Sequence, residues 1–267
     1  MMKKSVSGNS KKKMFYSLAG ILLLGIAFYQ LTDIAFQYQQ GKDVYARFWH
    51  AAEENEDKNE TRQKAKKQAD NNGEFDYRKF KIDFDALKEM NEDIIGWIRF
   101  DKNGINYPVL QGRDNEEYLH ILPDKTKNAS GSIFMDYLCS ADFTDSHTII
   151  YGHNMKNLSM FGRLKKYRTV EGYYEKNRYF TIYTPDQIYR YEIFAWYEVG
   201  AEDSVYQVGF TDEDVFGEFV GQMLERRYQD TNVTADETDK IVTLSTCSVA
   251  GKRFVVHGKL IDSIHET

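Results

Sequence analysis

The chain has 267 residues, 42% of them hydrophobic, enough for one large domain or two small ones with a buried core. Tyr (19) and Phe (17) are abundant and Pro (3) is rare, a composition that leans toward strands over a helical bundle. A net charge of −6, with no basic patch interleaved with aromatics, argues against nucleic acid as a partner.

At the N-terminus, Lys3, Lys4, Lys11, Lys12 and Lys13 precede an uncharged run from Met14 to Thr32. As a helix this run is about 28 Å long at ~1.5 Å per residue, close to a hydrocarbon core of ~30 Å. Lysines before it and Asp33 after it predict a cytoplasmic basic tail over 1–13, a single-pass transmembrane signal anchor over 14–36, and everything beyond outside the cell. The alternative is a cleaved signal peptide, but no small-x-small cleavage site follows and the run is long for a signal core. Residues 37–79 then read as a helical stalk or N-terminal extension. Alternating Glu and Lys/Arg across 51–68 suggest a solvated helix, while Val44, Phe48 and Ala52 have the i, i+4 spacing to pack on a domain body. Asn71-Asn72-Gly73 is a natural break.

From about residue 80 to 267 the pattern changes to short apolar runs rich in β-branched and aromatic residues. Strands are expected at 94–100, 105–110, 132–135, 148–151, 179–183, 188–199, 241–246 and 254–261. Helices are expected at 84–90, 115–119, 160–167 and 212–228; the last has Phe216, Phe219, Val220 and Met223 on one face and Thr211 or Asp212 as cap. Eight short strands with inserted helices predict a closed or nearly closed β-barrel, mainly β with α.

The chemistry gathers in the last two strands. Alternation puts Thr243, Ser245 and Cys247 on one face of the first, and Arg253, Val255, His257 and Lys259 on one face of the second. A five-residue connection with Gly251 makes a hairpin, so the thiol and the guanidinium meet at one edge, where the arginine can hold an oxyanion formed on the cysteine. Lys252 is a rival cation, though the strand register favours Arg253. A proton carrier is needed, and among six histidines strand position favours His153, in a Gly-His-Asn turn, or His257. With only Cys139 and Cys247 present, a disulfide between them is the structural alternative for an exported chain. No cluster of histidines and carboxylates has metal-ligand spacing, so no metal or cofactor is expected.

Gly131-Ser132-Ile133-Phe134-Met135-Asp136, Ile149-Ile150-Tyr151-Gly152-His153-Asn154-Met155, Ser159-Met160-Phe161 and Thr243-Leu244-Ser245-Thr246-Cys247 together resemble the class B sortases, cysteine transpeptidases of Gram-positive surfaces. The resemblance covers roughly 83–262. It implies an eight-stranded sortase-type barrel with an N-terminal helical extension, and it selects His153 over His257 as the acid–base group. Cys247 would attack a Thr carbonyl in the C-terminal sorting signal of a secreted protein, between Thr and Gly. His153 would protonate the leaving amine, and Arg253 would hold the oxyanion. Ser245, Thr246, Ser248 and Asn154 would contact substrate, with the Ser248 N–H a candidate oxyanion donor. The acyl group would pass to an amine, from a peptidoglycan precursor or a pilin lysine. The loop from Cys247 to Arg253 is several residues shorter than the class leads one to expect, which bears on substrate preference more than on catalysis. Two other function classes use the same residues: a membrane-anchored cysteine peptidase or amidase passing the acyl group to water, and a non-catalytic module in which Cys247 pairs with Cys139.

Overall fold

Helix α1 (Ser7–Glu53) contains the uncharged N-terminal run, and its large apolar side chains between Met14 and Phe36 are exposed. Among the described residues it is the one helix long and apolar enough to cross a membrane. The computed structural model describes residues 7–53, 75–247 and 251–265, and the chain divides into two units, Met1–Asp43 and Val44–Thr267.

In the second unit, Val44, Phe48 and Ala52 are buried among Phe80, Ile82, Phe84, Leu87 and Trp97, as their spacing predicts. The Ala52 carbonyl accepts from the Asp83 N–H at 3.1 Å. The Asp83 side chain in turn caps α2 (Phe84–Met90) by accepting from the Ala86 N–H. Most of the alternating-charge stretch lies outside the described residues.

Eight strands follow: β1 (Ile94–Phe100), β2 (Asn106–Gln111), β3 (Ile133–Met135), β4 (His147–Tyr151), β5 (Tyr179–Tyr183), β6 (Gln187–Val199), β7 (Ile241–Cys247) and β8 (Arg253–His265). They close into a barrel in the order β1-β2-β3-β4-β7-β8-β6-β5, with β5 returning to β1. The β2–β3 and β4–β7 pairs are parallel and the others antiparallel. A parallel pair needs a long crossover; between β4 and β7 it is filled by short helices α3 (Lys166–Thr169) and α4 (Tyr173–Lys176), strands β5 and β6, and helix α5 (Glu213–Arg226).

Val242, Leu244, Phe254 and Val256 join Ile98, Ile133, Ile150 and Ile182 in one core cluster, while Ile241 and Val255, at alternate positions, pack with Phe216, Phe219, Val220 and Met223 of α5. Burial of each of those α5 side chains contributes roughly 1.5–3 kcal/mol. Asp212 caps α5 by accepting from the Val215 N–H. Strand β7 is thus covered on both faces, and its polar residues must find partners inside. Thr243 does so between two buried histidines. His147 donates from Nδ1 to the Gln207 carbonyl (2.7 Å) and accepts at Nε2 from the Thr243 hydroxyl (2.7 Å), and Thr243 accepts from His257 Nδ1 (2.9 Å). The carbonyl can only accept, so His147 Nδ1 carries a proton; burial keeps both rings neutral, and the direction of the remaining bonds follows from that.

Of the expected helices, 115–119 does not form and 160–167 is helical only at its end. Over 115–119 the Asp114 carboxylate takes the Glu116 and Glu117 N–H groups, and the segment closes as a single i→i+3 turn from Leu119 N–H to Glu116 O. This is the local side-chain competition that disfavours a helix. Over 160–167 the chain starts from positive φ at Leu158 and Met160 and runs through i→i+3 turns, becoming α-helical only in α3. Strand β8 runs past its expected end because β6 pairs with it out to Gln187↔His265.

Burial pushes His147 down to about 4 and His257 well below the ordinary imidazole value. Unfolding frees both to bind protons, so their stabilisation is complete above pH ~6.5 and is lost as the pH falls below it. Urea unfolding midpoints are expected to drop steadily from pH 6.5 to 5, with a slope approaching ~1.4 kcal/mol per pH unit per histidine. A flat midpoint across that window would contradict the neutral, buried chain.

Candidate active site

The parallel register of β4 on β7 sets Tyr151 opposite Ser245. The ladder continues one step, with the Gly152 N–H donating to the Ser245 carbonyl at 3.1 Å. Two residues further on, the two chains reach His153 and Cys247. On the other side of β7 the antiparallel register sets Cys247 opposite Arg253. With neighbouring strands ~4.8 Å apart, three adjacent strand ends bring these backbone positions within about 10 Å.

A cleft of about 400 Å³ opens at these ends, lined by His153, Ser245, Thr246 and Arg253 together with Asn115, Glu116, Leu119, Asp136, Tyr151 and Tyr206. Gly152 is required just before His153, because a Cβ there would sit 2.4 Å from Ile133 Cδ1 and 2.8 Å from the Phe161 ring. His153 donates from Nε2 to the Leu119 carbonyl at 2.6 Å, which leaves Nδ1 as the nitrogen free to accept or release a proton. Its own carbonyl is held by the Phe161 N–H. Leu119 O is also the atom that a side chain at Gly131 would strike. Gly131 has φ +51°, and a Cβ there would lie 2.2 Å from that oxygen.

The walls are tied to the barrel. Asp136, 5% exposed, accepts from Asn115 Nδ2 and from the Tyr151 hydroxyl, both at 2.8 Å. Burial, reinforced by the Asp136 charge, holds the Tyr151 phenol above its ordinary range, so it is a donor at any physiological pH. The Tyr206 hydroxyl bonds the Ser245 hydroxyl at 2.9 Å. Thr246 Oγ1 is buried with no hydrogen-bond partner among the described residues.

Of the residues singled out from sequence, Ser245, Thr246, His153 and Arg253 line the cleft. Cys247 takes its place from the strand register. Asn154 instead bridges to Met160 in the following turn and is not part of the lining. Ser248 lies outside the described residues. Leu119, Asp136, Asn115 and Tyr206 were not assigned to the site from sequence. Leu119 acts through its backbone, which leaves no residue-type signal.

His257 is fully buried in the chain of Thr243 and does not reach the cleft, which removes it as the competing proton carrier. Cys139 is a free thiol, its Sγ 3.9 Å from the His147 carbonyl. His147 pairs with Ile241, six residues before Cys247 on β7. At ~3.3 Å per residue the two cysteines are on the order of 20 Å apart, far beyond disulfide reach. Burial pushes the Cys139 thiol up to about 12. Among the described residues no three His, Cys, Asp or Glu side chains converge as a metal site would require.

The Sortase domain model matches residues 98–261. Sortase B of Listeria monocytogenes is 35% identical over 179 residues, covering 66% of this chain and 72% of that protein. The structure of Clostridium perfringens sortase B superposes with a TM-score of 0.64 at 32% identity, covering 67% of this chain and 100% of that one. A Staphylococcus aureus sortase B–substrate complex gives 0.63 at 31% identity, covering 67% and 84%. The chain belongs to the sortase family of cysteine transpeptidases, among relatives of class B.

Replacing Gly131 by Ala is expected to cost on the order of 1–3 kcal/mol in stability, through its positive φ and the displaced Leu119 carbonyl. It should also lower turnover in the molecules that remain folded. Thermal melts beside steady-state kinetics separate the two effects; unchanged values for both would show that the carbonyl can move freely.

Proposed function

We propose that this protein cleaves the C-terminal sorting signal of secreted proteins at a Thr–Gly type bond and transfers the acyl group to an amine. The observation that carries the reading is the joint register of β4, β7 and β8, which sets His153, Cys247 and Arg253 at three neighbouring strand ends beside one cleft. The Cys247 thiolate attacks the Thr carbonyl carbon, and the carbonyl electron pair moves onto oxygen. Arg253 stabilises that oxyanion by charge-assisted hydrogen bonding. As the tetrahedral species collapses, the C–N bond breaks and His153 gives the Nδ1 proton to the leaving amine, leaving a thioester. An incoming amine then loses a proton to His153 and attacks the thioester, which releases the thiolate.

The paired hydroxyls of Ser245 and Tyr206 line the cleft beside the bound peptide, and Thr246 lends the wall its backbone, its own hydroxyl being buried. The acceptor is a peptidoglycan-precursor amine or a pilin lysine. The exposed apolar part of α1, with lysines before it, supports a single-pass anchor with an inside N-terminus and the catalytic domain outside, where both kinds of substrate are found.

The full chain in detergent, offered quenched peptides of sorting type with and without an added amine, should cleave at Thr–Gly and yield amine adducts by mass spectrometry. Cys247→Ala and His153→Ala should each lose about 10³-fold or more in kcat/KM, and Arg253→Ala about 10²–10³-fold. Iodoacetamide at neutral pH should label Cys247 while the buried Cys139 stays unmodified until urea is added. Hydrolysis with no adduct for any amine would assign a peptidase instead, and full activity in Cys247→Ala would remove the reading altogether.

A further inference from the structure

The Leu119 carbonyl alone does not fix the imidazole of His153. One hydrogen bond at Nε2 sets a direction in the ring plane but leaves the ring free to rock about it, and the terminal torsion of histidine is broad. The missing constraint comes from the next residue. The His120 ring lies over the His153 ring with centroids 5.3 Å apart and planes 16° from parallel, an offset stack.

His120 is itself exposed, yet its backbone is held on both sides. The Tyr118 carbonyl accepts from the Ser132 N–H (3.0 Å), the His120 carbonyl accepts from the Asn128 N–H (3.0 Å), and Ile121 bridges to Lys127. The segment that supplies the carbonyl therefore also delivers the ring, on a scaffold that owes nothing to the stack. We infer that His120 is a positioning residue for the transfer reaction, clamping the plane of the His153 imidazole and with it the direction of Nδ1. This rests on His153 being the proton carrier proposed above. What the clamp requires is a flat aromatic face, and neither the charge nor the nitrogens of His120 are needed for it.

The test compares wild type, His120→Ala, His120→Phe and His153→Ala as full chains in detergent, reading kcat, KM and melting temperature with a cleavable sorting-type peptide and a saturating amine. His120→Ala should lose about tenfold in kcat with KM changed less than about twofold, since misplacement penalises the transition state over binding. Its melting temperature should stay at the wild-type value, because the ring is exposed. His120→Phe, which keeps the stack, should recover most of the lost kcat. An unchanged kcat in His120→Ala, or an equal loss in His120→Phe, would overturn the inference. So would a loss in His120→Ala matched by a lower melting temperature that His120→Phe does not restore. His153→Ala keeps the two levels apart: full activity there would remove the acid–base assignment itself, whatever the His120 variants do.

Discussion

The site depends on the register of one strand. Strand β7 pairs in parallel with β4 and antiparallel with β8, so it alone decides which residue stands beside the end of each neighbour. A slip of a single residue would reverse every side chain of β7 between the barrel interior and the face under α5. Val242 and Leu244 are fully buried on one side, and Ile241 with Thr243 on the other, so neither face tolerates the exchange. The alignment of Cys247 with Arg253 and of Ser245 with Tyr151 is therefore maintained by apolar burial some distance below the cleft, and the site residues need contribute no stability of their own.

The same strand carries the polar anchor of the cleft's far wall. Thr243 sits between His147 and His257, and His147 reaches on to the Gln207 carbonyl. One residue before Gln207, Tyr206 meets Ser245, two residues after Thr243. The loop between β6 and α5 is thus pinned to β7 at two successive outward positions. Asp203 closes the loop from the other end through two 2.8 Å bonds from Arg226 of α5. Buried neutral histidines suit this task because each offers one donor and one acceptor, which lets a hydroxyl join them without leaving a charge inside.

Strands were legible in the sequence where packing on both faces compels apolar runs, as in β6 and β7. They were less so at the end of β8, where pairing extends into a stretch with more polar residues. The segments 115–119 and 160–167 show the converse error. Their apolar spacing is compatible with a helix, but Asp114 captures the N–H groups of the first turn, and positive φ at Leu158 and Met160 sets the entry to the second. The positions at the cleft were legible because a thiol, a guanidinium and an imidazole at strand ends are scarce and chemically specific. What escaped was the support around them. Leu119 contributes a carbonyl, which every residue possesses, and Tyr206 arrives from a loop whose path is set by contacts 39 residues away in sequence.

That support shapes the chemistry as well as the geometry. In a hydrolase triad a buried carboxylate both orients the histidine and stabilises its charged form. Here the orienting group is the neutral carbonyl of Leu119, which fixes direction at Nε2 and adds no negative charge next to the ring. The cation of the site, Arg253, stands opposite Cys247. On the proposed mechanism the arginine serves the oxyanion and the imidazole is held by shape, with a carbonyl at its edge and the His120 ring on one face. An acid–base group held by shape keeps one direction while it carries its proton to the leaving amine and takes one back from the acceptor amine. A transfer enzyme that runs the same step in both directions needs that constancy of aim.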